Sequence, residues 1–170
     1  VARIGSDEPG ASSTTLAIRL LAGQFPDLTR AIPQSTLTTV TASRLALIAA
    51  VRQCSILAEQ TAKGFRLVNV DVSGEGDSGL LMLRGIEKMT GEGAAEVSVT
   101  VDGEPVAFML NGPYLLDVLN AMTGETVALG SNGPMQPLLM TDPSVPDYAH
   151  ILAPMATLSS AKPDKTEAGE

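Results

Sequence analysis

The order of strand and helix signals after Leu37 constrains the fold of this chain more than any other feature of its sequence. The pattern predicts a strand, a helix and three strands, and then the same order a second time. Strands are marked by a period of two, as where Val68, Val70 and Val72 alternate with polar residues. This internal βαβββ duplication predicts an α+β fold in which antiparallel sheets carry two adjacent helices on one face.

The first unit contains a helix that we predict from Ala42 to about Ala62. Thr41 is its predicted N-cap, and Gly64 ends it. The apolar positions with helical spacing are Leu45, Ile48, Val51 and Cys54. The strands predicted around this helix are Leu37–Val40, Phe65–Ser73, Leu80–Ile86 and Ala95–Val101.

The second unit begins after Asp102-Gly103, a dipeptide that is typical of tight hairpins. Asn111 is the predicted N-cap of its helix, with Pro113 in the first turn and Gly124 after the end. The apolar face of this helix is predicted to consist of Leu115, Val118, Leu119 and Met122. The predicted strands are Pro105–Leu110, Thr126–Ser131, Pro137–Thr141 and Tyr148–Met155.

Both ends of the chain lie outside the duplicated units. Val1–Gly5 and Thr14–Leu21 are predicted strands, and Pro33–Thr36 has the composition of a linker. Ser159–Glu170 is polar and contains a proline, which is typical of a flexible tail. We therefore expect three parts, comprising residues 1–33, 34–158 and 159–170.

The charge of the chain limits its partners. With 19 acidic and 11 basic residues, the net charge of -8 repels a phosphate backbone and argues against tight direct binding of nucleic acid. The single cysteine cannot form an internal disulfide, and no apolar run reaches the ~18 residues of a membrane helix. Residues 1–10 lack the pattern of a signal peptide. We therefore expect a cytoplasmic protein.

The residues that enzymes use for chemistry are scattered along the sequence. His150 is the only histidine, and Cys54 is predicted to be a small buried apolar residue within a helix. No His and Cys residues have metal-ligand spacing, and no glycine-rich phosphate loop occurs. The carboxylates of Asp71, Asp117 and Asp142 are predicted to be turn or surface groups. We expect no enzyme activity, no metal and no cofactor.

Three segments carry a family resemblance. They are Gly23–Asp27 with Arg30 and Pro33 after it, Tyr114–Ala121, and Ile151–Met155. In order and spacing they resemble the end of the second domain, the second helix of the third domain and the C-terminal strand of the bacterial sliding clamp, the beta subunit of DNA polymerase III. The resemblance implies the DNA-clamp fold. It also implies that the chain covers the end of domain two and all of domain three.

The same resemblance implies a processivity factor for DNA replication. Clamp chains have three similar domains, and two chains form a homodimeric ring that encircles double-stranded DNA and tethers the replicative polymerase. Such a ring holds DNA topologically, so an acidic chain needs few phosphate contacts. Arg52, Lys63 and Arg66 are implied to face DNA, and a solvated surface charge is the alternative interpretation of each.

Two further sites follow from the resemblance. One is a groove for short linear motifs of the polymerase, the clamp loader and repair proteins, implied at Pro26, Arg30, Ala31, Pro137, Ile151, Leu152, Ala153, Pro154 and Met155. For Ile151 and Leu152 the alternative is an ordinary place in the strand core. The other site is the ring interface, implied at Ile56 and Leu57, for which the alternative is the helix core. Glu92 and Glu96 are the acidic residues of this sequence in the region where the clamp family has an acidic cluster.

A second function is compatible with these residues. A truncated clamp could capture clamp-binding peptides without encircling DNA, and the expected absence of the first domain favours that alternative for the chain by itself. The sequence also departs from the family after Met155. Ala156 stands where the family has a basic residue, and the segment to Glu170 could crowd the groove.

Overall fold

The duplicated order of strands and helices is present in the computed structural model of the chain. The structure describes residues 2–4, 14–17, 23–24, 27, 32–61, 64–87, 91–146 and 148–155. Its elements are β1 (Ala2–Ile4), β2 (Thr14–Leu16), β3 (Thr38–Ser43), α1 (Arg44–Leu57), β4 (Leu67–Ser73), β5 (Gly76–Glu87), β6 (Gly91–Asp102), β7 (Val106–Asn111), α2 (Gly112–Ala121), β8 (Thr126–Ser131), β9 (Leu138–Thr141) and β10 (Ala149–Leu152). The predicted tail, residues 159–170, lies outside the described residues.

Eight of these strands form one antiparallel sheet in the order β10-β9-β8-β3-β6-β5-β4-β7. The first strand of each unit pairs with the other unit, since β3 pairs with β8 and β7 pairs with β4. After β10, the Met155 N–H donates to the Met109 carbonyl at 2.8 Å and so links the two ends of the strand order. The predicted α+β fold with a βαβββ duplication is confirmed.

The helices contact each other, and α1 lies on β5 and β6. Gly85 in β5 allows this close approach, because a side chain there would collide with the backbone of Cys54. Cys54 is fully buried, and its thiol donates to the Leu83 carbonyl at 3.3 Å. Burial raises the pKa of this thiol. The prediction that Cys54 is a small buried apolar residue is confirmed.

The predicted limits of the first helix are wrong. Thr41 is not its N-cap but a residue of β3, where it pairs with Thr100 on one side and Ala128 on the other. Ser43 is the N-cap, and the Ala46 N–H donates to its hydroxyl at 3.5 Å. Strand pairing on both sides of β3 thus delays the helix, a tertiary effect that local sequence does not contain.

The same helix ends at Leu57, five residues before the predicted Ala62, because Ala58 has an extended backbone. Leu45, predicted on the apolar face, is 66% exposed. The buried face consists of Leu47, Ile48, Ala50, Val51, Cys54 and Ser55. The apolar residues of this helix therefore continue onto its exposed side, which is why periodicity alone misplaced its face.

Two arginines cap the carboxyl ends of the helices. The Arg66 guanidinium donates to the carbonyls of Ser55 (3.4 Å) and Ala58 (3.3 Å) at the end of α1. Arg44, the first residue of α1, donates to the Leu119 carbonyl at 3.2 Å and to the Gly124 carbonyl at 2.6 Å. The last carbonyls of a helix lack internal partners and carry partial negative charge, so cationic donors stabilise them.

Asp142 is buried, so it is not the surface group of one alternative, but it begins a turn in which the Val145 N–H donates to its carbonyl at 3.0 Å, as the other alternative predicted. Its carboxylate accepts the Ser144 hydroxyl at 2.5 Å and the Ser144 N–H at 2.9 Å. It also accepts the N–H groups of Thr123 at 2.9 Å and Gly124 at 2.8 Å. The Ser144 hydroxyl, followed by the backbone donors, holds the pKa of Asp142 well below its usual range. The carboxylate joins the loop after α2 to the loop before β10.

Replacing Gly85 by alanine is expected to destabilise the protein. The added methyl group would meet the carbonyl of Cys54, which is helix backbone and cannot move without displacing α1. Overpacking of this kind costs about 1–3 kcal/mol or more. Urea unfolding measures the loss of stability. Gly133→Ala is not a suitable control, because Gly133 has a positive φ and an alanine there would itself be strained. Ala49→Gly, a change on the exposed side of α1, is the better reference, with an expected loss of about 1 kcal/mol.

Asp142→Asn is expected to lower stability at neutral pH, since the amide nitrogen cannot accept the bonds that the carboxylate accepts. Because the pKa of Asp142 is depressed in the folded state, its contribution is complete above the unfolded value of about 3.9. The contribution declines as the pH falls below that value. Unfolding measured at pH 7 and at pH 3 should show a smaller difference between parent and variant at pH 3. An equal difference at both values would contradict the assignment.

Candidate functional site

A groove of about 470 Å³ lies between α2 and the end of the chain that the structure describes. Its lining residues come from the start and outer face of α2 and from the run that begins in β10. They are Asn111, Tyr114, Asp117, Val118, Ala121, His150, Ile151, Leu152, Ala153 and Met155. The concave shape and the mixture of apolar and polar residues are typical of a binding site.

The floor of the groove is apolar. Val118 and Leu152 are buried members of the core, whereas Ile151 and Met155 are half-buried. The bond from the Met155 N–H to the Met109 carbonyl fixes the chain beyond the end of β10. Such a surface can accept an aliphatic or aromatic anchor, and the flexible Met155 side chain can adapt to anchors of different shape.

One wall of the groove is aromatic. Tyr114 is 52% exposed, and its ring meets Phe65 edge to face with the centroids 6.0 Å apart. Asn111, the residue before α2, makes no side-chain capping bond. Its side-chain oxygen is buried and has no hydrogen-bond partner within the part of the chain that the structure describes. The wall therefore combines a positioned ring with an unused acceptor.

The rim of the groove carries two polar side chains. Asp117 lies on the exposed side of α2, and His150 lies exposed on β10. They are the only ionisable residues among the described lining residues apart from Tyr114. The rim therefore differs in charge from the apolar floor, an arrangement that is suited to orienting a ligand.

The structure brings together four of the nine predicted groove residues, namely Ile151, Leu152, Ala153 and Met155. Pro137, before β9, and Pro154 do not line the cavity. The remaining three, Pro26, Arg30 and Ala31, lie outside the described residues.

The contribution of α2 to the groove was not predicted from the sequence. Tyr114 was part of the segment Tyr114–Ala121 that carried the family resemblance, but no role was assigned to it. The available signal was an aromatic residue with an amphipathic ring in a chain with only two tyrosines, since tyrosine is enriched where proteins bind partners. Asn111 was predicted only as the N-cap of α2, and that role does not indicate that Asn111 also lines the groove.

The residues predicted to face DNA have different surroundings. Arg52 is exposed on α1, and Arg66 is half-buried where it caps α1. Lys63 lies outside the described residues. Of the residues predicted at the ring interface, Ile56 is 75% exposed, and Leu57 is half-buried beside Gly93 of β6.

The family of the chain is decided by a family model. The model of the DNA polymerase III beta subunit, C-terminal domain, matches residues 29–156. The chain belongs to this family. The matched segment contains both βαβββ units and every described residue of the groove.

Relatives and solved structures agree with this assignment. The beta sliding clamp of Caulobacter vibrioides is 27% identical over 143 residues, which are 84% of this chain and 37% of the relative. The Pseudomonas putida clamp is 29% identical over 141 residues, or 83% of this chain and 36% of the relative. A crystal structure of the Pseudomonas aeruginosa DNA polymerase sliding clamp superimposes with a TM-score of 0.74 at 26% identity, covering 86% of this chain and 39% of that one.

The chain thus spans about 37% of the length of the curated clamp it matches. These relatives are named as sliding clamps. Within the described residues, no helix is long and apolar enough to cross a membrane. The described residues also contain no group of three or more His, Cys, Asp or Glu that could hold a metal ion.

Met155→Ala is expected to weaken binding of a peptide with leucine and phenylalanine anchors. The change removes a half-buried contact from the groove floor, a loss of about 1–3 kcal/mol or roughly ten- to a hundredfold in affinity. Fluorescence anisotropy with a labelled peptide measures the affinity. Met135→Ala is the matched control, because Met135 is 59% exposed and does not line the groove.

Leu152→Ala is expected to weaken binding of the same peptide. Because Leu152 is buried, this variant also loses about 2–5 kcal/mol of stability, and circular dichroism must first show that it is folded. Folded variants at both positions that bind like the parent would disprove the assignment of the groove.

Proposed function

We propose that this chain is part of a DNA replication processivity factor, a ring-shaped sliding clamp that encircles double-stranded DNA and tethers the replicative polymerase. The observation that carries the proposal is the family match over residues 29–156, which includes the groove between α2 and β10. The chain acts by holding partners rather than by catalysing a reaction. Its predicted domain limits, 1–33 and 34–158, remain part of this proposal.

The groove is the docking site for partner proteins. Short linear motifs of the polymerase, the clamp loader and repair proteins place apolar side chains on Leu152 and Met155, beside the ring of Tyr114. Pro26, Arg30 and Ala31, which lie outside the described residues, belong to the docking site in this proposal. Pro137 precedes β9 and Pro154 lies within the lining run after β10, and neither lines the cavity, so both act indirectly in this arrangement.

The ring interface lies at the end of α1 and the adjacent part of β6. Ile56 is exposed there, while Leu57 packs beside Gly93 and so orients this end of the helix. On its β3 side, β6 is paired only from Val99 to Asp102, so the preceding residues of that strand have no described partner strand on this edge, where the Ala94 carbonyl accepts the Gln53 side chain at 3.2 Å. A second subunit that adds a strand here would cover Ile56 and satisfy the free backbone groups.

DNA contact is weak and electrostatic in this proposal. The Arg52 side chain is exposed on α1 and makes no hydrogen bond within the described residues, so it can contact a phosphate. Arg66 is engaged at the end of α1 and contributes chiefly by neutralising helix carbonyls. A chain of net charge -8 gains little from phosphate attraction, and topological enclosure supplies the retention that affinity does not.

Retention on circular DNA tests the proposal. The 170-residue chain alone is expected to leave nicked circles in high salt, because it spans 37% of a related clamp and closes no ring. A fusion that supplies the first two domains of the Caulobacter vibrioides clamp is expected to stay until the circle is linearised. Ile56→Asp in that fusion should abolish retention, and the exposed Leu45→Asp is the matched control.

A folded, dimeric fusion that leaves circular and linear DNA at the same rate would count against the ring. Binding of the peptide by the chain alone is independent of that result, so the two halves of the proposal can fail separately.

A further inference from the structure

The aromatic wall of the groove is held by residues of the first unit that do not themselves line the groove. Asn111 and Tyr114 of the second unit are lining residues, and they lie at the start of α2. Phe65 and Arg66 lie just before β4 of the first unit and are half-buried, and neither is a lining residue. Any effect of Phe65 or Arg66 on a ligand in the groove must therefore pass through this wall.

Arg66 joins the end of α1 to the start of α2. Its Nη1 group donates to the carbonyls of Ser55 (3.4 Å) and Ala58 (3.3 Å) at the end of α1. Its own carbonyl accepts the N–H of Gly112, the first residue of α2, at 2.8 Å. The side chain of one residue thus binds one helix end while its backbone binds the other.

The start of α2 is also held by strand pairing and by α1. Asn111 is buried and pairs with Leu67 in the ladder between β7 and β4. The Ser55 hydroxyl lies against Gly112, in the space that a side chain at that position would need. Asn111 and Gly112 therefore cannot shift without disturbing the end of α1 or the first pair of β4.

Phe65 is fixed by Thr61 and in turn contacts Tyr114. The Thr61 N–H donates to the Phe65 carbonyl at 2.8 Å, and the Phe65 N–H donates to the Thr61 hydroxyl at 3.0 Å. The rings of Phe65 and Tyr114 meet at 63°, the edge-to-face arrangement that the charge distribution of aromatic rings favours. This contact favours one orientation of a Tyr114 ring that is 52% exposed.

We propose that Phe65 and Arg66 are positioning residues of the groove, and that Arg66 serves the groove rather than DNA. The inference rests on the proposed docking of peptides in the groove. Arg66 sets the position of the start of α2, and Phe65 sets the orientation of the Tyr114 ring. A peptide then meets a wall that is ordered before it binds, which lowers the entropy lost on binding.

Phe65→Leu tests the support of the ring. This variant keeps an apolar side chain but removes the contact between rings, and it is expected to bind the peptide about fivefold more weakly in an anisotropy titration. Phe108→Leu is the matched control. It makes the same change in the core of β7, away from the lining residues, and should bind within about twofold of the parent. Equal affinities of the parent and Phe65→Leu would overturn the role of Phe65.

A double-mutant cycle shows whether Phe65 acts through Tyr114. In a Tyr114→Ala background, Phe65→Leu is expected to change the affinity by less than about twofold, because the ring that it positions is absent. A general effect on folding would give the same fivefold loss in both backgrounds, and that result would overturn the proposal.

Arg66→Met and Arg52→Met separate the groove from DNA. Methionine keeps the apolar stem of arginine and removes its donors. In the fusion with the first two clamp domains, Arg66→Met is expected to weaken peptide binding about fivefold and to leave the salt dependence of DNA association unchanged. Arg52→Met, on the exposed side of α1, should do the reverse. Unchanged peptide affinity with a weaker salt dependence in Arg66→Met would assign Arg66 to DNA and overturn the inference.

The ring resonances of Tyr114 give a measurement that needs no peptide. The chain has only two tyrosines, so these resonances are readily assigned. Arg66→Met is expected to shift them, because the support of the α2 start is altered, whereas Arg52→Met should not. Unmoved Tyr114 resonances in folded Arg66→Met would overturn the role of Arg66. If the parent binds no peptide, the proposed function fails, while these resonances still decide whether Arg66 positions the wall.

Discussion

The exchange of strands between the two units is the constraint on which the rest of the structure depends. β3 lies between β6 of its own unit and β8 of the other, and β7 pairs with β4 across the same boundary. Each helix follows directly from an exchanged strand, so the strand pairing also sets the position of the helix. Because the buried valines and leucines come from both units, neither unit has a complete core by itself.

The exchange of strands also sets the positions of the two walls of the groove. α2 begins where β7 ends, and Arg44 and Asp142 hold the loop after α2 through the Leu119 and Gly124 carbonyls and the Thr123 and Gly124 N–H groups. The other side of the groove is fixed by β10 and by the bond from Met155 to Met109. Both walls are thus attached to the sheet, so the groove is already formed, and a preformed site lowers the entropy that is lost when a ligand binds.

Sequence patterns predicted the fold well and the site in part. Alternating apolar residues identified the strands because strand burial has a period of two, and the duplication followed from their order. The limits of α1 were not predictable, since pairing of Thr41 with Thr100 and Ala128 lies far away in sequence. The burial of Asp142 was not predictable for the same reason, because two of its four donors, the N–H groups of Thr123 and Gly124, lie in a loop that is distant in sequence. The groove needed both Tyr114 and Met155, and periodicity does not show that these positions meet.

The exchange of strands has a consequence for the order in which the protein can be made. The Leu37 N–H bonds to the Asn132 side chain, 95 residues further along, and β3 beside it needs β8 as a neighbour. A ribosome therefore releases the whole first unit before the partner of β3 exists. Until then, one edge of β3 in the nascent chain is unpaired and apolar. Such edges promote aggregation and chaperone binding. Folding that waits for distant pairing is also slow. Synonymous codon changes that slow translation between Asp102 and Thr126 should therefore lower the soluble yield.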